Sequence, residues 1–148
     1  MRTSPSAARS PVAAADIAAR LRLSATRLAR RLRQESGAGL SPSQQSALAV
    51  IANDGPLTLG ALADLERVAP PSITKVVSKL ECDGLVTRTP DPTDRRICRV
   101  AISPEGAALL DEVRRRKTAW LTARISQLDP ERQRRLADAL DVLDELIS

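Results

Sequence analysis

Two carboxylates and two guanidiniums crowd the segment Asp91-Pro92-Thr93-Asp94-Arg95-Arg96, and the β-forming run Ile97-Cys98-Arg99-Val100-Ala101-Ile102 follows at once. A carboxylate beside a guanidinium can hold it in one rotamer through charge-assisted hydrogen bonds. A guanidinium held that way at an exposed tip suits the narrow groove of a polyanion, where negative potential is concentrated. Asp94 is therefore expected to orient Arg96, with Arg95 beside it. A second set lies twenty residues upstream. At about 100° per residue, Ile73, Val76, Val77 and Leu80 share an apolar arc, and the opposite face presents Pro71, Ser72, Lys75, Ser78, Lys79 and Cys82. That face carries hydroxyls and cations with no acid between them. Its N-terminal members, Pro71, Ser72 and Lys75, would reach deepest into a duplex major groove, with Thr74 on the flank and Lys79 further back. Lys75 could bond a guanine edge; Ser72 and Thr74 could meet a base or a phosphate.

The rest of the inventory excludes other chemistries. The 148 residues contain no histidine, which weighs against a zinc site, a catalytic triad or an imidazole base. No glycine-rich phosphate loop and no paired carboxylates placeable in a pocket are found, so no enzyme, metal or cofactor is expected. The formal charge of +5 favours polyanionic partners, although 20 arginines against 3 lysines can also reflect base composition. Phe and Tyr are absent and Trp120 is the only aromatic residue, so the core must be aliphatic. No run of about 18 apolar residues predicts a membrane span. Two cysteines make no disulfide framework, which fits a reducing cytoplasm. Cys98 shares strand parity with Val100 and Ile102 and is expected on the core face. Cys82 lies opposite the apolar stripe, but Glu81 and Asp83 beside it oppose thiolate formation.

Elements must position these sets. Three helix starts pair a side-chain acceptor with proline at the first helical position: Ser41-Pro42, Ser103-Pro104 and Asp129-Pro130. Gln44 completes a capping box with Ser41. Ile17, Leu21, Leu28 and Leu32 predict an amphipathic helix over 13–35, closed by Gly37 and Gly39 and studded outside with Arg20, Arg22, Arg27, Arg30, Arg31 and Arg33. Helices over 41–53, 59–65 (capped by Thr58) and 70–83 (closed by Gly84) precede strands over 85–88 and 97–102. Helices over 104–128 and 130–147 end the chain, the first lined by Leu110, Val113, Trp120, Leu121, Ile125 and Leu128. The resulting class is mainly α with a small β component. It is a winged helix-turn-helix between long N- and C-terminal helices that form a dimerisation body. Residues 1–11 read as a mobile basic arm, 12–36 as a dimerisation helix, 37–103 as the DNA-binding lobe and 104–148 as the C-terminal dimerisation helices. The apolar faces of Ile17, Leu21 and Leu28 and of Leu136, Leu140, Leu143 and Ile147 exceed what a compact monomer covers, so a homodimer is expected.

The wing resembles that of the MarR family of transcriptional regulators, whose signature Asp-x-Arg-x-x-x-Val-x-Leu-Thr-x-x-Gly is met by Asp94, Arg96, Val100, Ile102, Ser103 and Gly106. Ile102 and Ser103 replace the family's Leu and Thr. The reading helix from Pro70 to Glu81, followed by Gly84-Leu85-Val86, is also similar; Ala69 stands where the family often has Ser, so two prolines start that helix. The resemblance implies a homodimeric repressor on a pseudo-palindromic operator of double-stranded DNA, relieved by a small-molecule effector. Many relatives bind aromatic acids between body and lobe. Here Trp120 is the sole aromatic available to an aromatic or anionic effector, and it reads first as a packed helix residue; Arg27 or Arg31 could pair with an anion. A nonspecific architectural DNA-binding protein and a winged protein-interaction module are the alternative readings.

Overall fold

The computed structural model describes residues 13–148, so the expected basic arm lies outside the described residues. The order is α1 (Ala14–Ser36), α2 (Pro42–Asp54), β1 (Leu57–Thr58), α3 (Leu59–Glu66), α4 (Pro70–Cys82), β2 (Val86–Pro90), β3 (Cys98–Ile102), α5 (Pro104–Ile125) and α6 (Pro130–Ile147). The helix starts obey their local chemistry. The Ser41 hydroxyl accepts the Gln44 amide at 3.2 Å and the Gln44 side chain accepts the Ser41 amide at 2.8 Å, a complete capping box. Thr58, Ser103 and Asp129 cap α3, α5 and α6 through the amides of Ala61, Gly106 and Arg132. α4 has no side-chain cap and starts on Pro70 and Pro71. It ends where the Leu85 amide returns to Leu80 O at 2.9 Å, a closure that needs the positive φ of Gly84, +74°.

The sheet is antiparallel with β3 central, in the order β1-β3-β2. Leu57 faces Val100 on one side, and Arg88 faces Val100 on the other. β1 was not expected from the sequence: two residues are too few to show alternation. The wing strands also sit differently, with β2 running on to Pro90 and Ile97 falling outside β3. α5 stops at Ile125, and a turn carries the chain to Leu128.

Leu48, Ile51, Leu62, Val77, Leu80, Val86 and Val100 are fully buried and join α2, α3, α4 and the sheet into one aliphatic core. Truncating any of its leucines to alanine costs about 2–5 kcal/mol. α1 packs along α5. Their junction is polar at its lower end: Arg116 Nη1 donates to Ser36 O at 3.1 Å, while the Gln45 side chain donates to the buried Ser36 hydroxyl at 3.2 Å. α5 also abuts the wing. A Cβ on Gly106 would lie 2.0 Å from Leu85 O, so only glycine permits this approach. α6 has no buried residue; Leu140 is 51% exposed and Ile147 81%, and Leu136 is exposed as well.

Candidate nucleic-acid interface

The apolar stripe of α4 seats Ile73, Val77 and Leu80 in the core, with Val76 half-buried, and so turns the opposite face outward. Pro71, Ser72, Thr74, Lys75, Ser78, Lys79 and Cys82 are all exposed there. Their free bonding capacity is unequal. Pro70 and Pro71 have no amide proton, and the Ser72 amide is taken by Ala69 O at 3.0 Å. Thr74 Oγ1 donates to Pro70 O at 3.0 Å, which leaves it an acceptor and a methyl group. Lys79 Nζ pairs with Asp83 at 2.9 Å, and that carboxylate raises the pKa of the ammonium above its ordinary value. Lys75 makes no ion pair among the described residues. It is the cation of the helix best placed to act on a base edge or a phosphate.

The hairpin between β2 and β3 is built around Asp91, which is 4% exposed. Its Oδ1 accepts the Thr93 amide at 2.8 Å, the Thr93 hydroxyl at 2.6 Å and the Asp94 amide at 3.2 Å, and its Oδ2 accepts Arg99 Nε. The Thr93 bonds, then Arg99, hold this carboxyl well below the usual carboxylate range. Asp94 does what its position next to Arg96 implies. It accepts Arg96 Nε and Nη2 at 3.1 Å each and the Arg96 amide at 3.0 Å, and these bonds lower its pKa. The Arg96 side chain remains 90% exposed. A guanidinium bonded along one edge and open along the other is preorganised to donate outward. Arg95 is exposed beside it.

Sequence reasoning named Asp91 only as a neighbouring charge. The Asp-Pro-Thr order is an Asx-turn signal that could have assigned its role. It also missed Arg88 on β2, whose guanidinium reaches Ser78 and Glu81 on α4. Cys98 corrects an expectation: it is exposed, not on the core face. Alternation along β3 holds for Val100, but Cys98 pairs with Pro90 at the wing end of the ladder, beyond the reach of the core. Cys82 is exposed as its helix face requires. Trp120 is half-buried on α5, with Arg124 Cζ 3.9 Å and Arg31 Cζ 5.8 Å from its ring centroid. Cations of the chain itself thus cover the ring. Among the described residues no cluster of His, Cys, Asp or Glu could hold a metal ion, and no helix is long and apolar enough to cross a membrane.

A helix-turn-helix whose second helix turns an acid-poor face outward, joined to a hairpin with a clamped arginine at its tip, defines a winged-helix DNA-binding protein. The model of the MarR family matches residues 40–98, which run from the start of α2 to the first residue of β3. An uncharacterized HTH-type transcriptional regulator of Mycobacterium leprae is 42% identical over 134 residues, 90% of this chain and 94% of its own. A transcriptional regulator of Pseudomonas aeruginosa superposes with a TM-score of 0.80 at 33% identity, covering 90% of this chain and 94% of that one. A MarR family protein of Bacillus stearothermophilus gives a TM-score of 0.74 at 25% identity over 90% and 94%. The chain belongs to the MarR family and is a DNA-binding transcriptional regulator.

Proposed function

We propose that this regulator is a sequence-specific homodimeric repressor, acting in the cytoplasm on a pseudo-palindromic operator from which a small-molecule effector releases it. The observation that carries the specific reading is the Asp94-held guanidinium of Arg96 on a wing next to a reading helix with Lys75 unengaged. Pro71, Ser72, Thr74 and Lys75 take the major groove, Arg95 and Arg96 the adjacent minor groove, and Lys79 the backbone further out. Residues 37–103 act as the lobe, with 12–36 and 104–148 as the dimer body. The apolar side chains left outside on α1 and α6, Ile17, Leu28, Leu136, Leu140 and Ile147, support that body, with half-buried Leu21 and Leu143 between them. An open groove between α1, α2 and α5, lined by Leu32, Arg33, Gln45, Ser46 and Lys117, offers cations to an anionic effector at the seam of body and lobe.

The test is binding of the purified protein to the duplex flanking its own gene across a range of salt. Replacing Arg95 or Arg96 by Ala in both subunits should flatten the log-log salt slope by about 2. A salt-independent signal, or a monomer by sedimentation at the binding concentration, refutes the proposal. Equal affinity for operator and scrambled duplex would instead favour nonspecific coating by the exposed arginines of α1.

A further inference from the structure

We propose that Arg88 is a positioning residue that fixes the orientation of the reading helix against the wing, and thereby sets discrimination between DNA sequences, without itself touching DNA. The inference rests on the sequence-specific reading above.

Arg88 sits in the middle of β2, opposite Val100 of the central strand, and Val100 is fully buried. Its backbone is therefore tied to the core of the lobe. Its side chain crosses to α4, where Nη2 donates to Ser78 Oγ at 3.0 Å and Nε lies 2.8 Å from Glu81 Oε2. Ser78 and Glu81 are three residues apart, so one guanidinium grips two neighbouring groups on the same side of the helix. The Arg88 side chain is only 25% exposed, against 90% for Arg96, so it is sheltered while the wing-tip arginine is free.

The other attachments of α4 to the lobe are chiefly apolar: Ile73, Val77 and Leu80 in the core. Apolar contact is non-directional and leaves small rotations of a helix about its axis cheap. A guanidinium that hydrogen-bonds Ser78 and pairs electrostatically with Glu81 resists such rotation, because turning the helix lengthens the bond and the ion pair together. Rotation is what a reading helix must not do. At an exposed radius of about 5 Å, half the diameter of a helix with its side chains, a turn of 20° moves a base-contacting atom by almost 2 Å. That displacement undoes a base-edge hydrogen bond but not a backbone phosphate contact made by a long, flexible side chain. The brace also neutralises Glu81, and the Lys79 pair neutralises Asp83, so neither acid of the C-terminal turn faces phosphate unpaired.

The experiment uses the full chain, an operator duplex selected from genomic fragments and a scrambled duplex of equal length and composition. Arg88→Lys keeps the charge and cannot span two acceptors. It should lower operator affinity by about tenfold, while scrambled-duplex affinity and both salt slopes stay at parental values. Glu81→Gln removes a negative charge from an exposed position and should still lower the ratio of operator to scrambled affinity. This second variant keeps the proposal testable if Arg88→Lys folds poorly. A parallel loss on both duplexes in Arg88→Lys would make Arg88 a phosphate contact and overturn the proposal. A parallel gain on both in Glu81→Gln would make Glu81 a bystander acid, with the same consequence. Were the parent itself to show no preference, the specific-repressor reading would fall and this inference with it; a discriminating parent with an unchanged ratio in both variants sinks the inference alone.

Discussion

Ser103→Ala isolates the seam between wing and α5. The Ser103 hydroxyl performs two tasks. It accepts the buried Gly106 amide at 3.0 Å as the cap of α5, and it donates to Gly84 O at 2.6 Å across a separation of nineteen residues. Ser103 is 5% exposed and the Gly106 amide is buried, so no water stands ready to replace the cap bond, whereas Gly84 itself is exposed. Loss of the cap costs about 1 kcal/mol. Loss of the bond to Gly84 O, the carbonyl of an exposed residue, costs about 0.5–1.5 kcal/mol more. A destabilisation of about 2 kcal/mol lowers the melting temperature of a chain this long by about 4–8 °C. The control is Ser41→Ala, because Ser41 caps α2 from an exposed position and makes no second bond. Its cost should be about 1 kcal/mol, or 2–4 °C. Thermal unfolding followed by circular dichroism reads both, at one fixed protein concentration, since association would shift the midpoint. Ser103→Thr preserves both bonds and should stay close to the parent. Should Ser103→Ala melt no lower than Ser41→Ala, the Gly84 bond adds nothing and the seam is held by packing alone.

Two further outcomes follow from the wing. Asp91 has a depressed pKa in the folded chain, so its stabilising effect is complete above the ordinary carboxylate pKa of about 3.9 and disappears as pH falls through the lower folded value. DNA binding should therefore show no Asp91-dependent change from pH 8 to 5. Asp91→Asn should expose the Thr93 and Asp94 amides to faster hydrogen exchange while helical circular dichroism is unchanged; parental exchange at both amides would refute the assignment. Cys82 and Cys98 are both exposed, so a thiol reagent should titrate two thiols per native chain. A count of one before denaturation would return Cys98 to the core.

The helices were legible because their starts are local. A cap acceptor, a proline and an apolar period all lie within one turn, and Ser41-Pro42, Ser103-Pro104 and Asp129-Pro130 each open a helix in the structure. β1 was not, since Leu57 and Thr58 become a strand only through their partners Val100 and Arg99, more than forty residues away. Cys98 shows the same limit in a different form. Alternation assigns a residue to a side of a strand, but how far along that strand the core extends depends on what packs over it.

The site divides along the same line. Residue types and spacing identified the reading face and the Asp94–Arg96 pair, because i to i+2 contacts are fixed by the turn itself. Which groups remain free was not legible, because that depends on partners chosen by the fold. Thr74 donates its proton to Pro70 O and Lys79 is neutralised by Asp83, although both look available in the sequence. Arg88 and Glu81 look like solvated charges and instead meet across the gap between strand and helix. Once these internal claims are settled, the unengaged cations on α4 and the wing, among the described residues, are Lys75 near the start of α4 and Arg95 at the wing tip, with Arg96 held but open. One sits where a major-groove helix comes closest to base edges and the others where a wing meets the neighbouring groove. Direct base readout should therefore concentrate at Lys75, while Arg95 and Arg96 contribute salt-screened affinity together with a preference for narrow minor grooves.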